Sequence, residues 1–335
     1  MSPRDLDPLS PRDLDLVVVG DCNPDVLVLG SDVTPAFGQQ EKLVSGISLV
    51  VGSSAAITAV AAARLGLNVA LVAAIGWDPA GRFMLEQLIA EGVDVSHLVI
   101  RHGAPTGMTV ALSQGADRAI LTALGAMNSM TAADIDRGLF SRARHVHVSS
   151  YFLLEDCLGP DLADLLSAAR AAGAMTSLDT NWDPSGRWGD ARLSAAIAQT
   201  DVLLPNEAEA MGLSGADDLT LAAKALTGAG PRLVVKLGER GALCADGPAR
   251  QRVSLPPVVP VDTTGAGDCF NAGLIAGLLK GLPLPRAAAL GCAVGALSTG
   301  AAGGTAAAPG MTVAADLAEQ ASIEVIEILS RLEGK

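Results

Sequence analysis

The stretch VDTTGAGDCFNAG, residues 261–273, decides the fold. Two threonines, a Gly-Ala-Gly turn and a carboxylate stand directly before an apolar run. A helix start needs one capping side chain, and Thr264 or Asp268 alone would supply it. Gly265, Ala266 and Gly267 call for a further reason. Glycines let the backbone approach a ligand closely, and successive N–H groups at a helix start form an anion site. Pro256, Pro257 and Pro260 bound the extended segment before the turn, so the pattern predicts a helix over 268–281. A carboxylate beside an anion site repels phosphate unless it has its own task. Asp268, at the positive end of that helix, is suited to stay ionised and accept a proton from an attacking hydroxyl.

Outward from this stretch, short apolar runs alternate with Ala-rich ones. LVVVG (16–20), VALVAAIG (69–76), HVHVS (145–149), MTSLD (175–179), DVLLP (201–205) and LVVKLG (233–238) read as buried strands, and 54–66, 79–91, 158–172 and 217–228 as helices. Continuous apolar strands separated by helices predict a parallel sheet covered on both faces, with ligands at the carboxyl ends of the strands. Residues 26–50 and 104–124 alternate in β fashion without a helix and predict a small β-layer, a lid. Val313, Leu317, Ile323, Ile326 and Leu329 predict a closing helix over 312–333. The repeated SPRDLD at 2–7 and 10–15 has no apolar core, so residues 1–15 are expected to be a disordered tail without a targeting role, ahead of one domain over 16–335.

Composition limits the partners. Hydrophobic residues make up 50% of the chain but aromatics only 3%, so the core must be built from Ala, Val and Leu. A net charge of -13 argues against nucleic acid and anionic membrane, which need a basic face. The mean hydropathy of +0.39 reflects alanine, because the uncharged stretches 43–63 and 287–313 are interrupted by Gly46 and Gly52, and by Gly303, Gly304 and Pro309. Cys22, Cys157, Cys244, Cys269 and Cys292 show no zinc spacing and read as reduced thiols of a cytoplasmic protein. The helix field would lower the Cys269 thiol if it reached it, although a buried inert thiol is the plainer reading. His145 and His147 share one strand face and read as structural.

Neither GxxxxGK[ST] nor GxGxxG after the first strand is present. PNEAEA (205–210) has the spacing of a capping box between Asn206 and Glu209; alternatively Asn206, Glu207 and Glu209 order Mg²⁺ through water at a strand end. GDCNPD (20–25) is a turn whose Asp25 is either solvated or turned into the crevice to accept hydrogen bonds from sugar hydroxyls. GSSAAITAVAAARLG (52–66) is a small-residue turn into a helix, for which close packing is sufficient reason.

Together these four clusters, in this order, resemble the ribokinase-like (PfkB-type) carbohydrate kinases from about Val17 to Pro309. The resemblance implies an α/β fold, three layers α/β/α with a mostly parallel central sheet and a small β-sheet lid. It implies ATP-dependent phosphorylation of a small sugar or polyol with Mg²⁺, Asp268 as base, and Gly265, Ala266 and Gly267 giving amides to the transferred group. Asn206 and Glu209 would organise Mg²⁺ and phosphate, Lys236 and Gly238 would lie on the nucleotide side, and Asn23, Asp25, Gly52 and Ser53 would touch the sugar. Asp262 and Thr264 fall where relatives hold a monovalent cation such as K⁺, and the lid is where relatives form homodimers. Three departures bear on the acceptor. Ile57 replaces a sugar-contacting Asn, Asp183 stands near an Arg of several hexose and keto-acid kinases, with Arg187 as a substitute, and Ser149 and Ser150 replace an acidic ligand of pentose kinases. A nucleoside kinase and a non-catalytic sugar or nucleotide sensor are the competing readings.

Overall fold

The computed structural model describes residues 12–114 and 117–326. Its strands are β1 (Leu14–Val19), β2 (Pro24–Leu29), β3 (Gly46–Val51), β4 (Val69–Val72), β5 (Ala74–Gly76), β6 (Val99–Arg101), β7 (Met108–Gln114), β8 (Asp117–Ala123), β9 (Ala143–Val148), β10 (Met175–Leu178), β11 (Val202–Leu203), β12 (Arg232–Lys236), β13 (Ala242–Asp246), β14 (Ala249–Ser254) and β15 (Ser322–Val325). Nine of them form one sheet in the order β15-β14-β13-β12-β11-β10-β9-β1-β4. From β4 to β12 the neighbours are parallel, and β13, β14 and β15 add an antiparallel edge.

Both faces of this sheet are covered, which is why its strands are continuously apolar. Along β1, Leu16 and Val18 enter one core and Val17 and Val19 the other. The first core lies under helices Ser54–Arg64, Ala266–Leu279 and Leu284–Ser298; the second lies under Leu162–Ala171, Ala191–Ala198 and Leu219–Gly228. The result is the three-layer α/β/α arrangement. A separate four-stranded sheet, β3-β2-β7-β8, is drawn from the segments 26–50 and 104–124 and their borders.

Two expectations are corrected at the ends of the chain. Residues 12–15 belong to the folded part: β1 begins at Leu14, and Arg12 donates to the carbonyls of Ala143, Ala172 and Gly173 at 2.8–2.9 Å, closing the end of helix Leu162–Ala171. The rest of the expected tail, 1–11, lies outside the described residues. The closing helix over 312–333 is not formed as one element. A helix runs from Met311 to Ala318, and Ser322–Val325 then pairs antiparallel with β14. Ile323 has helical spacing with Ile326 and the period of two with Val325, and pairing with β14 realises the second; 327–333 lies outside the described residues.

With few aromatics, the core gains density from close helix approach. A Cβ on Gly277 would stand 2.7 Å from Ala287 Cα, and one on Gly273 2.8 Å from the Leu290 carbonyl oxygen. Gly277→Val is therefore expected to lower stability by about 3 kcal/mol in urea unfolding, as overpacking against backbone does. Gly228→Ala, at a helical position with open space around it, should instead be neutral or stabilising by up to about 1 kcal/mol.

Candidate active site

Helix Ala266–Leu279 begins two residues earlier than expected, which makes Asp268 its third residue. Gly265, at φ 72, is in the left-handed region, and a Cβ there would meet Gly304 Cα at 2.6 Å. Conformation and space both require glycine. Asp262 fixes the turn: its Oδ1 accepts from the Thr264 N–H (2.9 Å) and hydroxyl (2.7 Å), and its Oδ2 from the Gly303 N–H (2.9 Å). Ile57 lies against Gly265 and Gly304, so it braces this turn from below. An apolar residue suits this packing, and it leaves no polar group at position 57 to meet a sugar.

Asp268 is buried where three other strand-end loops converge. Burial pushes its carboxyl up to about 7; Asp179 and Asp21 add to the rise, while Lys236 and a hydrogen bond with Ser54 oppose it. Asp21, also raised by burial, accepts from the Ala55 N–H at 3.0 Å. Asn181 links the loops: its amide donates to Ser54 Oγ (2.9 Å), and its carbonyl oxygen accepts from the Ser150 N–H (2.7 Å). Ser53, Ser150 and Asn181 all have φ near +60°. Such backbone costs about 1–3 kcal/mol per residue and persists where surrounding structure demands it. Three cases around one carboxylate mark a constrained site.

Asp179 forms the second pole. One carboxylate oxygen accepts from Lys236 Nζ at 2.5 Å and from the Asn271 amide at 2.6 Å. Burial works against the Lys236 charge, but Asp179, Glu209 and Asp268 together hold its pKa above the ordinary lysine value. The Lys236 N–H donates to the Pro205 carbonyl at 2.9 Å, which brings Asn206 alongside. Asn206 Oδ1 accepts from the Glu209 N–H (2.9 Å) and Glu209 Oε2 from the Asn206 N–H (2.8 Å), so the capping box of helix Glu207–Ser214 is formed. Burial, with Asp179 beside it, pushes Glu209 up to about 7. Gly238, at φ 61, opens the turn after β12, and Arg240 in that turn pairs with Glu207. Behind Asp179, His145 and His147 share the Ser177 hydroxyl at 2.7 and 2.8 Å; burial lowers both, His147 to about 4, and keeps them neutral.

Asn23, Asp25, Gly52 and Ser53 come together where the two sheets meet. A Cβ on Gly52 would be 2.0 Å from Asp25 Oδ1, so the carboxylate occupies the space a side chain would need. Asn23 donates to Thr109 Oγ1 on β7 at 3.2 Å, and Ser53 Oγ accepts from the Asn23 N–H at 2.8 Å.

Asp183 accepts from the Ser185 N–H and hydroxyl (both 2.7 Å) and the Trp188 N–H (2.6 Å). It staples its own loop. Arg187 pairs with Glu155 at 3.3 Å. Cys269 is buried, its thiol pushed up to about 12 mainly by burial, so the lowered-pKa reading fails and the inert thiol holds. Asp21, Asp179, Asn181 and Asn271 were missed, although VVVGD and SLD placed two carboxylates just beyond apolar strands.

The glycine turn, the first-turn N–H groups of a helix of 14 residues and the Lys236 ammonium fit a phosphate. Among the described residues no group of three or more His, Cys, Asp or Glu is placed to hold a metal. Asn206 and the buried Glu209 offer oxygen donors of the kind that a hydrated Mg²⁺ takes through water.

The same order of elements recurs in known proteins. The chain is 31% identical over 302 residues to a fructokinase of Salmonella typhimurium, covering 86% of this chain and 97% of that one. It is 30% identical over 285 residues to a cytidine kinase of Thermococcus kodakarensis, covering 83% and 93%. Its fold matches a structure described as a ribokinase II from E. coli in complex with ATP and Mg²⁺, with a TM-score of 0.78, 23% identity and coverage of 91% and 99%. Residues 13–311 match the pfkB family of carbohydrate kinases, and the chain belongs to that family.

Proposed function

We propose that this protein transfers the γ-phosphoryl group of ATP to a hydroxyl of a neutral sugar or sugar-like polyol, with Asp268 as the base. The observation that carries this reading is the burial of Asp268 in the first helical turn beside the Gly265–Gly267 backbone. Mg²⁺ with ATP would supply charge neutralisation at the phosphates. Asp268 takes the proton of the acceptor hydroxyl, and the Gly265, Ala266 and Gly267 amides donate to the charge developing on the transferred group. Asn206 and Glu209 act on the hydrated Mg²⁺ through water, and Lys236 and Gly238 lie on the nucleotide side. Asp262 and Thr264 stand beside the turn that a monovalent cation such as K⁺ would stiffen.

Asn23, Asp25, Gly52 and Ser53 bind the acceptor in this reading. Its charge class follows from the neighbours. Asp25, and Asp268 when ionised as the base, put negative charge on the acceptor side, and Arg187 and Arg192 in the adjoining loop both pair with Glu155. A carboxylate or phosphate on the acceptor would meet repulsion. The β3-β2-β7-β8 sheet serves as the lid, and exposed Ile47, Leu49, Ile120 and Leu121 on its outer strands support a homodimer through it. Among the described residues no helix is long and apolar enough to cross a membrane, and the unpaired cysteines suit a cytoplasmic location.

The test is an ATP-consumption screen across neutral sugars, sugar acids, inositols and nucleosides. Turnover of neutral sugars or polyols at least about tenfold above sugar acids is expected; consumption with nucleosides alone would transfer the assignment to a nucleoside kinase. Asp25→Asn is expected to raise the acceptor KM about tenfold or more, since a charged hydrogen-bond acceptor is lost. Asp268→Asn should lower kcat about 10³-fold while calorimetry still shows ATP binding.

The raised Asp268 pKa predicts two pH dependences. The base works only when ionised, so kcat/KM of the wild type should fall as pH drops below about 7. For stability, the folded pKa lies above the ordinary value of 3.8, so the favourable protonated form is lost as pH rises through about 7. Asp268→Asn should therefore unfold at a higher temperature than wild type at pH 8, with the gap shrinking toward pH 4.

A further inference from the structure

Lys236 enters the reading above only as a nucleotide-side residue, yet its side chain is held by buried partners and aimed elsewhere. Asp179 Oδ2 binds Lys236 Nζ at 2.5 Å, and the same oxygen takes the Asn271 amide at 2.6 Å. Asn271 lies one turn beyond Asp268 on helix Ala266–Leu279, so one carboxylate orients both the lysine and the base-bearing helix. A Cβ on Gly267 would stand 3.7 Å from Lys236 Nζ and 3.8 Å from its Cδ. The ammonium group thus lies across the space left open by the second glycine of the anion turn. It does not extend along the turn that begins at Gly238.

We propose that Lys236 is a catalytic residue whose ammonium group contacts the phosphoryl group during its transfer past Gly267, and that Asp179 is the positioning residue that aims it. This rests on the phosphoryl-transfer reading above. In the step, the acceptor oxygen bonds to the γ-phosphorus and its proton goes to Asp268. The bond from phosphorus to the bridging oxygen breaks with its electron pair leaving on ADP. Lys236 keeps its protons throughout and donates hydrogen bonds to the equatorial oxygens, where negative charge is spread in the transition state. A full positive charge in a site with little water strengthens what the turn amides provide as partial charges.

The experiment compares wild type, Lys236→Met, Lys236→Arg, Asp179→Asn and Asp268→Asn as full chains, using the acceptor that turns over in the screen. Steady-state kinetics gives kcat and the KM for ATP. Calorimetry with the acceptor present gives the affinity for ADP and Mg²⁺ with and without aluminium fluoride, a mimic of the transferring phosphoryl group. Lys236→Met is expected to lower kcat about 10²–10³-fold while the ATP KM and ADP affinity stay within about threefold. Aluminium fluoride should tighten ADP binding in wild type and fail to do so in Lys236→Met; Lys236→Arg should recover part of both effects, and Asp179→Asn should fall between. A folded Lys236→Met that raises only the ATP KM, or still gains affinity from aluminium fluoride, overturns the proposal. If Lys236→Met does not fold, a folded Asp179→Asn with wild-type kcat and wild-type tightening overturns it equally. Inactive Asp268→Asn beside a normal Lys236→Met refutes this inference alone, whereas normal Asp268→Asn refutes the reading on which it rests.

Discussion

The carboxylate of Asp179 is the constraint on which the site depends. It lies just beyond β10, in the middle of the sheet, and one of its oxygens joins Lys236 at the end of β12 to Asn271 on the helix above. An ion pair this deep loses hydration on both partners, and replacing such pairs by apolar residues is often neutral or favourable for stability. Stability alone therefore gives little reason for it. Breaking the pair by removing one partner is a different matter, since a buried charge would be left without compensation. Asp179 thus ties helix Ala266–Leu279 and the lysine to the same point of the sheet. The Asp268 pKa responds to the same group, because Asp179 raises it and Lys236 lowers it.

Small side chains make that arrangement geometrically available. With aromatics at 3%, the helices approach the sheet and one another through alanine and glycine, as Gly273 and Gly277 do against helix Leu284–Ser298. Close packing gives a rigid floor, and the strained loops stand on it. Ser53, Ser150 and Asn181 keep left-handed backbone because Asn23, Asn181 and Ser54 tie them from the side. Each tie is a hydrogen bond between loops that follow different strands, so the strain of one loop is balanced by contacts to another.

The strands, the helix after Gly265 and the glycine turn before it were legible because their signals are local. A strand buried on both faces is a continuous apolar run, and an anion turn must be built from adjacent residues. Asp179, Asn181 and Asn271 were not legible, because nothing local separates a catalytic-site carboxylate from a turn carboxylate. Asp183, four residues after Asp179 and equally buried, is only a loop staple. Ile57 shows the same limit: spacing places a residue on a helix, but only the fold shows that it packs against Gly265 and Gly304. The end of the chain failed differently, since Ile323 is spaced for a helix with Ile326 and for a strand with Val325, and pairing with β14 decides between them.

Asn206 and Glu209 show that a structural reading and a chemical one need not compete. Their capping box is fully formed, so local helix formation accounts for both residues. Yet the box also holds Glu209 in a buried position beside Asp179 and Lys236, where its carboxyl rises to about 7. A side chain already fixed by a cap loses little further freedom when a ligand arrives, so the cap pre-organises the site. The net charge of -13 fits the same distinction of scale. At physiological salt, charges more than about 8 Å apart in water are largely screened, so the acidic surface acts on large partners that must lie against it, such as nucleic acid. Inside the cleft the distances are a few ångströms and the surroundings are poor in water. There one lysine, a helix end and a glycine turn can favour phosphate while the rest of the surface repels it.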